Sequence, residues 1–336
     1  MGTATPDYWL TWRFLLLGSA LLVFAGLALI IIWKFEGLPR SGNRKRDSKK
    51  EKVGDLYKDE AWTTCHKAIH PGWLLTYRLL VFILLLFTLA ADVYWNSTDI
   101  FFFYTQWTFS LVTLYFGLGS YLSIRGCIQY RKSVASAKVC CIDEEKNDAP
   151  TLVKNASLPG VSKGLSSDDE TDIREPAGYL GYAFQIMFQV AGGAVVLTDS
   201  MYWLILYPFV VDGNTIEFLP LVMHSMNAVA LFGDVILNSL RFPFFRIAYF
   251  VIYSCSFVSF QWLVHMFIST WWPYPFLDIS LKLALLLYLA AGATHIPCFT
   301  VFALVIALKR WLPRLFKWMI RKQSEDKQLV QTPSNK

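Results

Sequence analysis

Seven stretches of this chain stay apolar for about 20 residues or more, the length a helix needs to cross roughly 30 Å of hydrocarbon. They lie at 12–33, 73–95, 101–124, 178–210, 218–239, 244–269 and 279–309. Inside lipid every backbone N–H and C=O must be paired within its own segment. Runs of this length and number therefore predict an all-α fold, a polytopic membrane helical bundle of about seven transmembrane helices. Composition agrees, because a chain 55% hydrophobic and 17% charged is too apolar for one water-facing core.

The charge pattern orients the bundle. Of 31 Lys and Arg residues, 28 fall in 34–72, 125–177, 241–246 and 309–336, whereas the loops near 96–100, 211–217 and 270–278 have none. Basic loops are retained in the cytosol, so the N-terminus is expected outside and the C-terminus inside. The first stretch is read as an anchor and not a cleaved signal, since its basic residues follow the apolar run. The chain then divides into an N-terminal transmembrane anchor (1–34), a basic cytosolic linker (35–72), helices two and three (73–124), a disordered cytosolic loop (125–177), helices four to seven (178–310) and a basic cytosolic tail (311–336). The linker as well as the loop is expected to be largely disordered except near the membrane.

The tail reads either as an amphipathic segment on anionic lipid or as the last helix continuing. The fourth stretch is long enough to be tilted, kinked at Gly192-Gly193, or split. The net charge of +6 does not indicate nucleic acid, because the basic residues sit in short blocks between apolar runs. The expected partners are membrane lipids and a lipid-like small molecule, in the endomembrane system or the plasma membrane.

Polar side chains inside hydrocarbon are costly and mark function or helix contacts. The fifth stretch carries His224, Asn227 and Asp234, whose spacing of three and seven puts them on one face. That face is expected to meet Gln185, Gln189, Thr198 and Asp199 of the fourth helix, Gln261 and His265 of the sixth, and His295 of the seventh. By depth, Asp199, His224, Asn227, Gln261 and His265 can share one pocket in the outer half, with Asp234 and His295 deeper. These residues either satisfy one another as interhelical hydrogen bonds or serve a ligand, catalysis or proton transfer.

Two sets of side chains offer metal-ligand types, His224 with His265 and Asp199, and Cys65 with His66 and His70. The first has no HxxxH or HExxH pair on one helix, and the second is three ligands without a partner motif, as in an ordinary amphipathic segment, so no metal or cofactor is expected. Ser166 and Ser167, each with an acidic residue three positions on, suit an acid-directed kinase. Asn96-Ser97-Thr98 is a glycosylation sequon close to the outer membrane face, and Cys127, Cys140 and Cys141 near a membrane exit suit palmitoylation.

Tyr104-Thr-Gln-Trp107-Thr-Phe109, His224-Ser-Met226-Asn227 and Trp272-Pro-Tyr274-Pro275-Phe276-Leu277-Asp278 together resemble the androgen-induced and androgen-dependent membrane hydrolase family and its rolling-stone relatives. The resemblance spans roughly Arg78 to Arg310 and is nearest to a plant branch of transmembrane proteins. It implies hydrolysis of fatty-acid esters of hydroxy fatty acids by a threonine nucleophile and a buried histidine. The matching positions here are Leu111 and Asn227. Leucine cannot attack an ester and asparagine is no base near neutral pH.

Thr113 with His224 is the nearest shifted pair, although a helix turns about 100° per residue, so a displacement of two faces elsewhere. The leading expectation is therefore a non-enzymatic role in binding lipid or a membrane partner through the polar pocket. The alternatives are an ester hydrolase using the shifted pair, a seven-helix receptor and a transporter. The receptor reading lacks Asp-Arg-Tyr, where Ser123-Ile124-Arg125-Gly126 stands.

Overall fold

Each apolar stretch forms a helix. The computed structural model describes residues 6–37, 56–66, 69–145, 176–209 and 218–331. A short helix α1 (Pro6–Trp9) precedes α2 (Trp12–Glu36), which starts where the Thr11 hydroxyl accepts from the Phe14 amide. Helix α3 (Pro71–Asn96) begins with His70 accepting from the Gly72 amide and proline in the first turn, where no N–H is missed. The rest are α4 (Tyr104–Glu145), α5 (Tyr179–Met201), α6 (Tyr207–Phe209), α7 (Phe218–Leu237), α8 (Ile247–Phe267) and α9 (Ala284–Gln331). Among the described residues seven helices are long and apolar enough to span a bilayer. The protein is an integral, multi-pass, all-α membrane bundle.

Helix α5 is the hub and packs against α4, α7, α8 and α9, while α2 lies outside against α8. In their apolar stretches 61% of α5 is buried but only 11% of α2. Helix α5 is not split at Gly192 and Gly193 but runs continuously through Met201. The irregularity falls later, where the π turn Tyr202–Leu206 absorbs the approach to Pro208, a residue with no N–H to continue the α ladder.

Contacts sort the loops into two ends. At the neutral end the Tyr8 hydroxyl donates to Asp278, Gln261 donates to the Phe102 carbonyl, and the Tyr104 amide donates to the Tyr274 hydroxyl. At the basic end Arg246 pairs with Glu36 and Arg241 with Glu60. Lys309 there caps α7 by donating to the carbonyls of Val235 and Asn238, a cation at the negative end of a helix dipole.

Two segments differ from expectation. Part of the linker, 56–66, is ordered: Leu56, Ala61 and Trp62 are buried, the Cys65 amide donates to the Leu237 carbonyl, and the segment closes the basic end of the bundle. Its apolar residues are few but converge, and Gly126 makes room for the Trp62 ring, since a Cβ there would stand 2.1 Å from Trp62 Cγ. Residues 125–145, expected as disordered loop, continue α4, because no glycine or proline after Gly126 stops it before Glu145. The tail likewise continues α9 to Gln331, the second of its two readings.

Candidate functional site

The polar face of α7 splits by depth into two environments. Near the basic end Asp234 and Arg78 are both fully buried. Arg78 Nε donates to Asp234 Oδ1 at 2.7 Å, and Nη1 donates to the Ala61 carbonyl and the Ser123 hydroxyl at 2.7 and 3.0 Å. Asp234 Oδ2 accepts from Tyr115 at 2.5 Å and Asn238 at 2.7 Å. Phe184 lies under the guanidinium, 4.9 Å from its ring centre. Every charge has an opposite charge or hydrogen bonds, so this network clamps α3, α4, α7 and the 56–66 segment together.

About two to three turns toward the neutral end the situation reverses. His224 Nδ1 stands 3.5 Å from Asp199 Oδ1, and the His224 ring stacks on Tyr202 at 3.8 Å and 6°. Asp199 in the last turn of α5 and Tyr202 at the start of the following π turn are three residues apart, so one face presents both to His224. Asn227, three residues on from His224, is wholly buried. Both carboxylate oxygens of Asp199, His224 Nδ1 and both amide atoms of Asn227 are buried with no hydrogen-bond partner.

The Ser110 hydroxyl on α4 is also unpartnered. Gln106 bonds to Met223 and Tyr115 to Asp234, and these two pins on α4 and α7 put Ser110 level with Asn227. Polar atoms of this kind are rarely left unpaired in native interiors, so the group is the candidate site.

The other residues of the expected outer pocket lie elsewhere. Gln261 holds the Phe102 carbonyl. His265 stacks on Trp272 at 3.9 Å, with Tyr8 and Trp9 rings 5.3 and 5.7 Å away, so it cannot complete a set with His224 and Asp199. Cys65 donates to the Ile236 carbonyl and His70 caps α3. His295 bonds Ser254. The Thr113 hydroxyl donates to Phe109, four residues back on its own helix. Asn96 uses its amide to donate to Asp92. Ser166 and Ser167 lie outside the described residues.

Around His265, the N-terminal segment is latched by Asp278. Burial alone would raise the Asp278 carboxyl, but donors from Tyr8 and Ser280 outweigh it and hold it below the ordinary carboxylate range, while burial and this carboxylate push the Tyr8 phenol well up. A depressed carboxylate stabilises the native contact above its unfolded pKa, and that contribution is lost as pH falls through the lower folded value. Tryptophan emission from Trp9 and Trp272 is therefore expected to stay flat down to about pH 4 and change below it. Tyr8→Phe should move the change to higher pH, and an unmoved transition would rule this latch out.

No protein-family model, curated protein or solved structure matches the chain. Reading by helical face located the unpartnered group but missed three features. These are the Arg78 partnership of Asp234, the Glu36–Arg246–Gln185 network at the end of α2, and the Ser254–His295 contact. Arg78 and Glu36 could have been found as charges at the margins of apolar runs, where an unpaired charge is expensive.

Proposed function

We propose that this is a multi-pass membrane protein of the androgen-induced and rolling-stone type that binds a lipid-like small molecule, its headgroup held by Asp199, His224 and Asn227. One observation carries the reading: five polar atoms of these residues are buried together without partners. Each such atom costs about 1–3 kcal/mol, and a bound headgroup removes that penalty. Three of the five are acceptor oxygens and one is a donor nitrogen, so the site favours a headgroup rich in O–H or N–H.

Exposure is graded, with the side chains of His224 and Asp199 at 10% and 13% and Asn227 at 0%. Asn227 forms the floor and the other two the entrance. With the basic loops in the cytosol, the entrance lies in the outward half of the membrane. The Thr113–His224 hydrolytic pair has no comparable support, since the threonine hydroxyl is committed to the Phe109 carbonyl of its own helix.

Asn227→Leu tests the reading by separating binding from stability. Replacing unpaired polar atoms by apolar ones of similar shape costs little or stabilises. The variant is expected to melt at the same or a higher temperature while binding a fluorescent monoacylglycerol about 10-fold more weakly. A lower melting temperature with unchanged affinity would make the cluster a structural contact.

A further inference from the structure

Asp92 and Asp234 are both buried in the spans, at 3% and 0% exposure, but only one of them is neutralised by the chain. Asp234 has the Arg78 guanidinium against it. Asp92 on α3 has neutral donors: Oδ1 accepts from the Asn96 amide and Oδ2 from the Gln106 amide, each at 2.7 Å. No Lys, Arg or His among the described residues pairs with Asp92, and the adjoining 96–100 loop contains no basic residue. Both Asp92 oxygens act as acceptors, which is the ionised form. Amide dipoles share such a charge without cancelling it, and an unpaired charge in hydrocarbon is expensive. The compensating positive charge therefore comes from outside the chain.

Gln106 on α4 points to its nature. The residue is 7% exposed, and its Oε1, on the same planar amide as the nitrogen that touches Asp92, is buried without a hydrogen-bond partner. The other neighbour of that nitrogen is Met223 Sδ at 3.5 Å, a weak acceptor. Turning the amide over exchanges its nitrogen and oxygen, so Oε1 reaches the carboxylate as readily as Nε2 does. Two oxygens repel there unless a cation lies between them. Asn96 offers its Oδ1 by the same rotation, since it is exposed and ends α3.

Access and charge select the ion. Asp92 lies about 6 Å, one turn, inside the neutral end of α3, and the exposed Asn96 stands between it and the outward solution. Carboxylate and amide oxygens are hard donors that suit alkali and alkaline-earth ions. Among the described residues no three His, Cys, Asp or Glu side chains gather as a transition metal would need. An all-oxygen site carries no histidine spacing, so the lack of HxxxH and HExxH pairs does not bear on it. One carboxylate has one negative charge. A monovalent ion leaves the buried group neutral, whereas a divalent ion leaves a net positive charge in the membrane.

We propose that Asp92, Gln106 and Asn96 bind a monovalent metal cation of the sodium class, which enters from the outward side and bridges α3 to α4. The site shares no residue with the Asp199–His224–Asn227 cluster and stands whether or not that cluster binds a headgroup.

The test follows the thermal midpoint of the purified full chain in lipid nanodiscs while sodium chloride replaces choline chloride at constant ionic strength. Choline has the same charge, but its methyl groups keep it from meeting oxygen ligands. The midpoint is expected to rise by about 2–4 °C and saturate, and the rise should be absent in Asp92→Asn, which removes the charge and keeps the shape. Gln106→Leu keeps the carboxylate but removes an oxygen ligand, and should raise the half-saturating sodium concentration about 10-fold. A midpoint indifferent to the exchange of sodium for choline overturns the proposal, as does an equal rise in Asp92→Asn. A midpoint that follows pH but not sodium overturns it in favour of a proton on Asp92, and saturation by calcium at far lower concentration overturns it in favour of a divalent site. Should Asp92→Asn fail to fold, an unmoved half-saturation in Gln106→Leu overturns it equally.

Discussion

Asp234→Ala is expected to lower the stability of the bundle by about 3–5 kcal/mol, because it strands a fully buried guanidinium. Arg78 has 0% exposure and would keep only the Ala61 carbonyl, the Ser123 hydroxyl and the face of Phe184, none of which carries a negative charge. Tyr115 and Asn238 would lose their acceptor as well. The measurement is the thermal midpoint in detergent, followed by tryptophan emission and by the fraction eluting as a single species.

The double variant Arg78→Met with Asp234→Leu is expected to recover much of the loss, since a buried ion pair is often no better than well-packed apolar residues of similar volume. The same variants address transport. Asp234→Asn that folds normally yet abolishes ion or solute flux in vesicles would move Asp234 from the clamp to a conduction path. Collapse of the fold in Asp234→Ala with rescue in the double variant keeps it structural.

Hydrocarbon dictates the length of a spanning helix, so the existence and order of all seven spans were legible, although α4 and α9 run on to Glu145 and Gln331, well past their expected ends. The common face of His224, Asn227 and Asp234 followed from helical geometry. What could not be read was rotation about the neighbours. Whether Asp234 meets Arg78, or His265 meets His224, depends on how α3 and α8 turn about their own axes, and that is decided by packing between distant parts of the chain.

His265 shows the point. By depth alone it belongs with His224, yet α8 turns it toward the N-terminal aromatics Tyr8 and Trp9. The order in 56–66 was hidden for a different reason: three buried apolar side chains, Leu56, Ala61 and Trp62, are too few to form a periodic signal, and they become apolar surface only against Gly126 and the end of α7.

Gly192→Leu and Gly193→Leu should each cost about 1–3 kcal/mol through overpacking. A Cβ on Gly192 would stand 2.5 Å from Phe302 on α9, and one on Gly193 2.6 Å from Phe250 on α8. Both rings are buried at the hub, so neither moves without disturbing its own surroundings. The better helix propensity of leucine, worth roughly 0.5–1 kcal/mol over glycine, offsets only part of this.

The two variants are expected to differ in what they disturb. Phe250 lies 4.5 Å from the His295 ring, so Gly193→Leu should also disturb the contact between α8 and α9 there, whereas Gly192→Leu acts through Phe302. Phe302→Leu combined with Gly192→Leu should restore most of the melting temperature, because the coupling resides in that one contact. A loss of melting temperature that persists in that double variant would mean that the strain spreads beyond Phe302.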